Sequence, residues 1–198
     1  MFRNYLTVAV RNLVRHKGYS LINIAGLAIG MACCILILLF VQDELSYDRY
    51  HENAERIYRL VDEMHYLGGK VSHLASASAP MAPALLNDYP EVIRAVRFSR
   101  GWGNIPLVCY EDKCFYEERF LFADASLFDV FTFPLRKGNS ETALKEPMCI
   151  VITEQMAGKY FGNEDPMGKI LAVDDKDYKV TGVLKDIPRN SHFRFDFL

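Results

Sequence analysis

Acidic residues are absent from the first 42 positions of this 198-residue chain, and the first one is Asp43. The same stretch carries four basic residues, all before position 20: Arg3, Arg11, Arg15 and Lys17. Residues 43–198 hold 19 basic and 25 acidic residues, so the overall net charge of −2 averages a basic head and an acidic body of net charge −6. An acidic body without a basic stripe argues against nucleic-acid binding.

Charge of either sign is absent from residues 20–42, SLINIAGLAIGMACCILILLFVQ. A helix of about 23 residues is roughly 34 Å long, and the hydrocarbon core of a bilayer is roughly 30 Å thick. The stretch therefore predicts one transmembrane helix over residues 20–42.

Two cleaved alternatives to this anchor fit less well. A signal peptide has a shorter apolar region that ends in an A-x-A-like site, and FVQDELS offers none. A lipoprotein signal ending at Cys33 would need a lipobox, which GMA resembles poorly, and seven apolar residues follow that cysteine directly. We therefore favour an uncleaved anchor.

The basic head predicts the orientation of the anchor. Lys and Arg accumulate on the cytoplasmic side of membrane helices, so residues 1–19 are expected in the cytoplasm and residues 43–198 outside it. In a Gram-negative bacterium this means the inner membrane and the periplasm. Within the head, Phe2, Leu6, Val10 and Leu13 share one helical face and Arg11 lies away from it. This pattern is typical of a basic amphipathic helix on the membrane surface, and the alternative is a simple extension of the transmembrane helix.

Small residues in the anchor suggest that it has helical neighbours. Gly26 and Gly30 form a GxxxG pair, and Ala25, Ala28 and Ala32 lie nearby. Small residues allow two membrane helices to approach closely. Glycine is also common in membrane helices in general, so the pair predicts helix packing without requiring it.

Residues 43–198 alternate irregularly between short strands and short helices, which predicts an α+β domain. The expected strands are RIYRLV (56–61), residues 92–98, a hairpin with Glu111–Asp112 at its tip and a further strand after it, MCIVIT, and a second hairpin, KILAV and YKVTGVL, across DDKD. The expected helical pieces are residues 52–55, a helix from Pro80–Pro83 to Asp88, a turn within 125–135, and EQMAGKYF capped by Thr153.

No residue pattern indicates catalysis or a bound cofactor. GNEDPMGKI places five residues between Gly162 and Gly168 where a phosphate-binding loop has four, and Ile170 stands in place of its Ser or Thr. A helix stop at Gly162 and a turn before Gly168 account for the stretch. The five histidines lack zinc spacing, and no serine lies in a G-x-S-x-G elbow. We expect neither an enzyme nor a metal site in this chain.

The cysteines indicate one possible disulfide. If Glu111–Asp112 is a two-residue turn, Cys109 lies directly opposite Cys114, and an oxidising compartment permits a bond between them. A register slip of one residue would separate the pair. Cys33 and Cys34 are expected to pack within the membrane helix, and Cys149 to be a buried thiol on an apolar strand.

Five linked segments carry a family resemblance: RNLVRHKGYSLINIAGLAIGMA, YDRYHENAERIYRL, FADASLFDVFTFPLRKGNSETALKEP, PMCIVITEQMAGKYFGNEDPMGKIL and YKVTGVLKDIPRNSHFRFDFL. They resemble ABC transporter permeases of the FtsX/MacB superfamily, specifically the N-terminal portion with the MacB-like periplasmic core domain. They cover nearly the whole chain in the family's order.

The resemblance implies a set of partners and a mode of action. A separate cytoplasmic ATPase subunit binds ATP, three further membrane helices complete the permease, and an outside partner such as a periplasmic adaptor can take part. Motion of the membrane helices passes to the extracytoplasmic domain and moves or releases a substrate. Because the chain ends at Leu198, before those helices, we expect either a fragment of a longer permease or a truncated gene.

Two rival functions remain open at this point. One is a membrane-tethered extracytoplasmic binding or adaptor module without transport activity. The other is a single-span sensor, although only about 19 residues precede the helix as a possible output module. In the permease interpretation, Tyr47, Tyr50 and Arg56, together with His51, form a stalk that transmits helix motion. The alternative for these residues is an interfacial aromatic belt with local packing.

Overall fold

A computed structural model describes residues 2–101 and 105–198 of the chain. The chain divides into two compact units, Met1–Tyr47 and Asp48–Leu198. Met1 and the side chains of Phe2, Arg3 and Leu6 lie outside the described part.

The first unit consists of two helices, α1 (Phe2–Arg15) and α2 (Lys17–Ser46). His16 separates them with φ −115° and ψ 53°, which are not helical values. Residues 2–15 of the basic head therefore form a helix of their own rather than an extension of α2, whereas Lys17 is the first residue of α2. The uncharged run 20–42 lies inside α2, which begins three residues earlier and ends four residues later than that run.

Helix α2 is long and apolar enough to cross a membrane, judged by its length and composition. Its apolar side chains are exposed throughout, as the lipid-facing surface of a membrane span requires.

The second unit contains three short helices and ten strands among the described residues. The helices are α3 (Met81–Asp88), α4 (Leu127–Val130) and α5 (Glu154–Phe161), with a 3₁₀ turn at Ala54–Arg56. The strands are β1 (Asp62–His65), β2 (Val71–Leu74), β3 (Phe98–Ser99), β4 (Leu107–Tyr110), β5 (Lys113–Tyr116), β6 (Phe122–Ala123), β7 (Leu135–Lys137), β8 (Cys149–Thr153), β9 (Ile170–Val173) and β10 (Lys176–Leu184). The α+β prediction is confirmed.

The main sheet is organised around β10, the longest strand. Its order is β5-β4-β9-β10-β7, and β8 also pairs with β10. The β8–β10 pairing is parallel, with Val180 opposite Ile150, whereas β7 and β9 pair with β10 in antiparallel fashion. The pairs β1–β2 and β3–β6 form two small separate sheets.

Alternation along β8 creates two hydrophobic cores. Ile150 and Ile152 belong to one core with Tyr160 and Phe161 of α5. Val151 belongs to the other, which contains Leu127, Phe131, Phe133, Ala143, Leu184, Phe195 and Leu198. Successive strand residues point to opposite faces, so β8 is covered on both sides. A central strand buried in this way accounts for the continuous apolar run CIVI.

One strand prediction is wrong and two are wrong in extent. RIYRLV forms no strand: residues 57–61 have no regular secondary structure, and β1 begins only at Asp62. Tyr58 and Val61 are 86% and 64% exposed, and of this stretch only Ile57 packs against a core, so the alternation has no continuous buried face. Of residues 92–98, only Phe98 enters a strand, and the second hairpin turns at Asp174–Asp175, with Lys176 already in β10.

Candidate functional site: the clasp at the start of the outer domain

Residues 48–52, which we call the strap, begin the second unit. Asp48 has a positive φ of 56°, and its backbone N–H donates to the carbonyl of Asn190 at 2.9 Å. Its carboxylate accepts the backbone N–H of His192 at 3.0 Å and lies 2.6 Å from Nδ1 of that histidine. The first residue of the domain is thus fixed to a segment 144 residues later.

Tyr50 makes the second attachment of the strap. Its hydroxyl lies 2.8 Å from Oγ of Ser191, a residue that is only 1% exposed. Oγ of Ser191 also accepts the backbone N–H of Phe193 at 3.1 Å. Burial raises the pKa of Tyr50, and the Asp48 carboxylate adds to this, while the hydrogen bond with Ser191 opposes it. Tyr50 therefore serves here as a neutral hydrogen-bonding group.

His51 and Glu52 make the third attachment, to the segment 131–134, which we call the aromatic loop. The backbone N–H of Thr132 donates to Nδ1 of His51 at 3.1 Å. In return, the backbone N–H of Glu52 donates to Oγ1 of Thr132 at 2.9 Å. The strap, the aromatic loop and residues 190–193 together form what we call the clasp.

The imidazole of His51 lies in an aromatic cage and is 4% exposed. Ring centroids of Tyr50, Phe131, Phe133 and Phe193 lie 4.1, 5.1, 5.3 and 6.3 Å away, respectively. Burial lowers the pKa of His51, because the charged form would lose hydration, and the Asp48 carboxylate offsets this only in part.

The structure brings together only some of the predicted stalk residues. Tyr50 and His51 lie in the clasp. Tyr47 follows the last residue of α2 and belongs to the first unit. Arg56 closes the 3₁₀ turn with an exposed side chain that makes no ion pair with the described residues. The roles of Tyr47 and Arg56 in coupling stay predictions. No local sequence pattern connects Asp48, Thr132, Ser191 and His192, so none of them was predicted as a site residue.

An open groove borders the clasp. It has a volume of about 580 Å³ and shares Glu52, Phe131, Thr132 and Phe133 with the clasp and its aromatic loop. Phe128, Pro134, Leu135, Gly138, Asn139 and Ser140 complete its lining. Its walls combine aromatic rings with small polar side chains, and the described residues contain no group of three His, Cys, Asp or Glu placed to hold a metal ion.

The GxxxG residues lie on an open stretch of α2. A methyl group built on Gly26 or Gly30 meets nothing within 4 Å in this chain. Cys33 and Cys34 are exposed on the same helix. The packing role of the glycine pair therefore stays a prediction that concerns other helices.

The first hairpin has the register expected from a turn at Glu111–Asp112. Tyr110 is opposite Lys113 and Cys109 is opposite Cys114, and the structure joins the two cysteines in a disulfide. Cys149 is half-buried rather than fully buried, because it lies at the first position of β8. Its thiol donates to the carbonyl of Glu146 at 2.8 Å, and burial raises its pKa.

The stretch that resembled a phosphate loop is a structural corner. Gly162 ends α5 with φ 63°, and its N–H donates to the carbonyl of Gly158. Lys169 donates to the hydroxyl of Tyr110 at 3.0 Å and pairs with Glu164. Hydrogen bonds to these partners, that to Glu164 first, raise the pKa of Lys169. A lysine held between a carboxylate and a phenol is not free to bind phosphate.

One buried polar cluster supports the main sheet. The carboxylate of Glu117, a residue only 7% exposed, accepts the hydroxyl of Tyr160 and the ammonium of Lys159, each at 2.6 Å. The ammonium also lies 4.2 Å from the ring centre of Phe115. Burial raises the pKa of Tyr160 strongly. The polar groups of this cluster bond to one another and leave no position for a substrate, so we assign the cluster a structural role.

The sequence profile of the MacB-like periplasmic core domain matches residues 20–198. The chain belongs to this family. The matched region includes most of α2 and the whole second unit, so both the apolar helix and the α+β domain are family features. The chain accordingly carries the periplasmic core domain of an FtsX/MacB-type permease.

One solved structure shows the same fold. A domain of a candidate permease protein from Porphyromonas gingivalis aligns with a TM-score of 0.53 and 26% identity. The alignment covers 66% of this chain and 56% of that one, so this chain spans little more than half of its relative. The periplasmic region of MacB from Actinobacillus actinomycetemcomitans aligns at 22% identity over 53% of this chain and 49% of that one, with a TM-score of 0.42. No curated protein matches the chain.

Helix α2 and the family membership together indicate a membrane-anchored protein with an extracytoplasmic domain.

Proposed function

We propose that this chain is the permease component, or an N-terminal part of it, of an FtsX/MacB-type ABC transporter. ATP hydrolysis by a separate cytoplasmic subunit moves its extracytoplasmic domain, and this movement exports or releases a substrate. The observation that carries the proposal is the family match over residues 20–198, because one family model includes both the apolar helix and the outer domain.

The charge distribution supports the orientation that this function needs. All four cations before position 20 lie on the N-terminal side of the apolar run, with no acidic residue among them. By the positive-inside tendency, α1 then lies at the cytoplasmic face, where an ATPase subunit binds, and residues 48–198 lie outside. ATP is bound by the partner subunit, and this chain needs no cofactor of its own.

The clasp supports the coupling step. Tyr47 alone separates the last residue of α2 from Asp48, and the strap is held by hydrogen bonds to two distant segments. Because the strap is fixed at Asp48, Tyr50, His51 and Glu52, the first residues of the domain are held rigidly against the rest of it. Displacement of the chain at Tyr47 would then move the domain as a body rather than unravel its first residues.

Co-purification tests the proposal. The native gene product, tagged and extracted from its own membranes with detergent, is expected to retain an ATP-binding ABC subunit through washing at high salt. An unrelated tagged single-span protein from the same membranes is the control. Recovery of the chain alone, or with envelope proteins only, would contradict the permease role and favour a tethered binding or adaptor module.

A further inference from the structure

His51 has only one protonation state that fits its contacts. Its Nδ1 accepts the backbone N–H of Thr132 at 3.1 Å, so this nitrogen carries no proton and the single proton of the neutral ring is on Nε2. Nε2 is buried and has no hydrogen-bond partner among the described residues. The folded clasp therefore requires a neutral imidazole.

A second proton would act against the clasp in two ways. It would place an N–H on Nδ1 facing the N–H of Thr132, so that two donors meet and the hydrogen bond is lost. It would also leave a cation in a site that is only 4% exposed, where the charge loses its hydration. The bond from Glu52 to Thr132 connects the same two segments and would be weakened with it.

Few charged groups surround His51 to oppose this effect. On the strap, the Asp48 carboxylate favours the cation, and Arg49, Tyr50 and Glu52 are the other titratable residues. The aromatic loop, FTFP, contains no titratable residue. On the third segment, His192 is paired with Asp48, and the guanidinium of Arg194 donates to the carbonyl of Arg189.

We propose that His51 is a proton-sensitive latch, whose protonation in an acidic extracytoplasmic medium releases the strap from the aromatic loop. The sign follows from burial, which lowers the pKa of His51 below its ordinary value. A histidine of this kind stabilises the folded arrangement above its unfolded pKa of about 6.5, and this contribution is lost as the pH falls through the folded pKa.

The release is confined to one side of the clasp. The contacts of Asp48 with Asn190 and His192 and of Tyr50 with Ser191 do not require a neutral histidine. Acid therefore frees His51 and Glu52 from Thr132, while Asp48 and Tyr50 keep their contacts with residues 190–192. This opening also widens the groove lined by Glu52, Phe131 and Thr132.

Amide exchange of the full chain in detergent micelles tests the latch without an ATPase, so its outcome is independent of the proposed function. The readout is the protection factor of the Thr132 amide, corrected for intrinsic exchange, at about pH 7.5 and about pH 5. We expect protection to fall at the lower pH, approaching tenfold for each unit by which the pKa of His51 lies above the pH. His51→Asn, which keeps an acceptor close to the position of Nδ1 but does not titrate, should abolish the difference.

Two further measurements keep the test decisive. His192→Asn removes the other histidine of the clasp and should leave the pH dependence of the Thr132 amide intact. If His51→Asn does not fold, an NMR titration of the wild-type chain replaces it: the ring of His51 and the Thr132 amide should titrate together at an apparent pKa below about 6.5. Equal protection at both pH values, or an equal pH dependence in wild type and a folded His51→Asn, would overturn the latch.

Discussion

The hydroxyl of Tyr50 lies 2.8 Å from the hydroxyl of Ser191, although the two residues are 141 positions apart. The contact joins the strap to the segment that leads into the C-terminal run Phe193–Leu198. That run supplies Phe195 and Leu198 to one core and Phe197 to the other. The start of the domain is thus tied directly to the segment that closes both cores.

Removal of this hydroxyl is expected to loosen the clasp. Tyr50→Phe keeps the ring beside His51 but removes one partner of the buried Ser191, and the free energy of unfolding should fall by about 1 kcal/mol. Urea unfolding of the full chain in micelles measures the change. Tyr58→Phe is the matched control, because Tyr58 is 86% exposed, and it should leave the stability unchanged. Equal effects of the two variants would show that the Tyr50–Ser191 contact contributes nothing.

The disulfide of the first hairpin reports the compartment of the domain. Alkylation of the denatured native protein should label three thiols before reduction, those of Cys33, Cys34 and Cys149, and five after it. Five labels without reduction would contradict an oxidising location. For a loop this short, Cys109→Ala combined with Cys114→Ala should lower the free energy of unfolding by about 2 kcal/mol, and Cys149→Ser offers a control that leaves the hairpin intact.

The glycine pair of α2 should matter only to partners in the membrane. In this chain a methyl group on Gly26 or Gly30 meets nothing within 4 Å, so Gly26→Leu and Gly30→Leu should leave the outer domain folded. They should reduce the amount of ATPase subunit recovered per tagged chain, because larger side chains keep membrane helices apart. Ala28→Leu, on the opposite side of α2, is the control. An equal recovery with all three variants would contradict helix packing through this face.

Asp196 is expected to destabilise the domain at neutral pH. Burial raises the pKa of its carboxyl, and Arg119, 3.9 Å away, offsets this only in part. A carboxyl with a raised folded pKa binds its proton more tightly in the folded state, so the wild-type domain loses stability as the pH rises through that window. Asp196→Asn should therefore stabilise the domain at about pH 7, and the gain should shrink towards about pH 4.

Urea unfolding at the two pH values measures this effect. Asp175→Asn, at the exposed turn between β9 and β10, should give no change at either pH. If Asp196→Asn instead lowers the free energy of unfolding by the same amount at both pH values, the carboxylate stabilises the folded domain as a hydrogen-bond acceptor, and the prediction is wrong.

Local chemistry explains which parts of the fold were predictable. Thr153 caps α5 by accepting the N–H of Met156, and Gly162 ends that helix with a positive φ. Each feature is decided within a few residues, so the sequence predicts it well. The register of the first hairpin follows from its two-residue turn in the same way.

Pairing between distant segments was not predictable in this way. RIYRLV alternates like a strand, but no strand among the described residues pairs with it, and a strand exists only through its neighbours. The clasp has the same origin: Asp48 and Ser191 acquire their roles from segments that meet only in the folded domain. Of the predicted stalk residues, Tyr50 and His51 lie in the clasp. The sequence around Arg56 does not indicate that its side chain is exposed and makes no ion pair with the described residues.

The most direct test of coupling is nucleotide-dependent exchange in the purified complex of this permease with its ATPase subunit. Amide exchange of the strap and of residues 190–193 would be compared in the nucleotide-free and ATP-bound states, in wild type and in Tyr50→Phe. The account predicts that ATP, bound on the cytoplasmic side, changes protection of the clasp outside, and that Tyr50→Phe reduces the change. Identical protection in both nucleotide states would contradict the claim that this domain is moved by the ATPase.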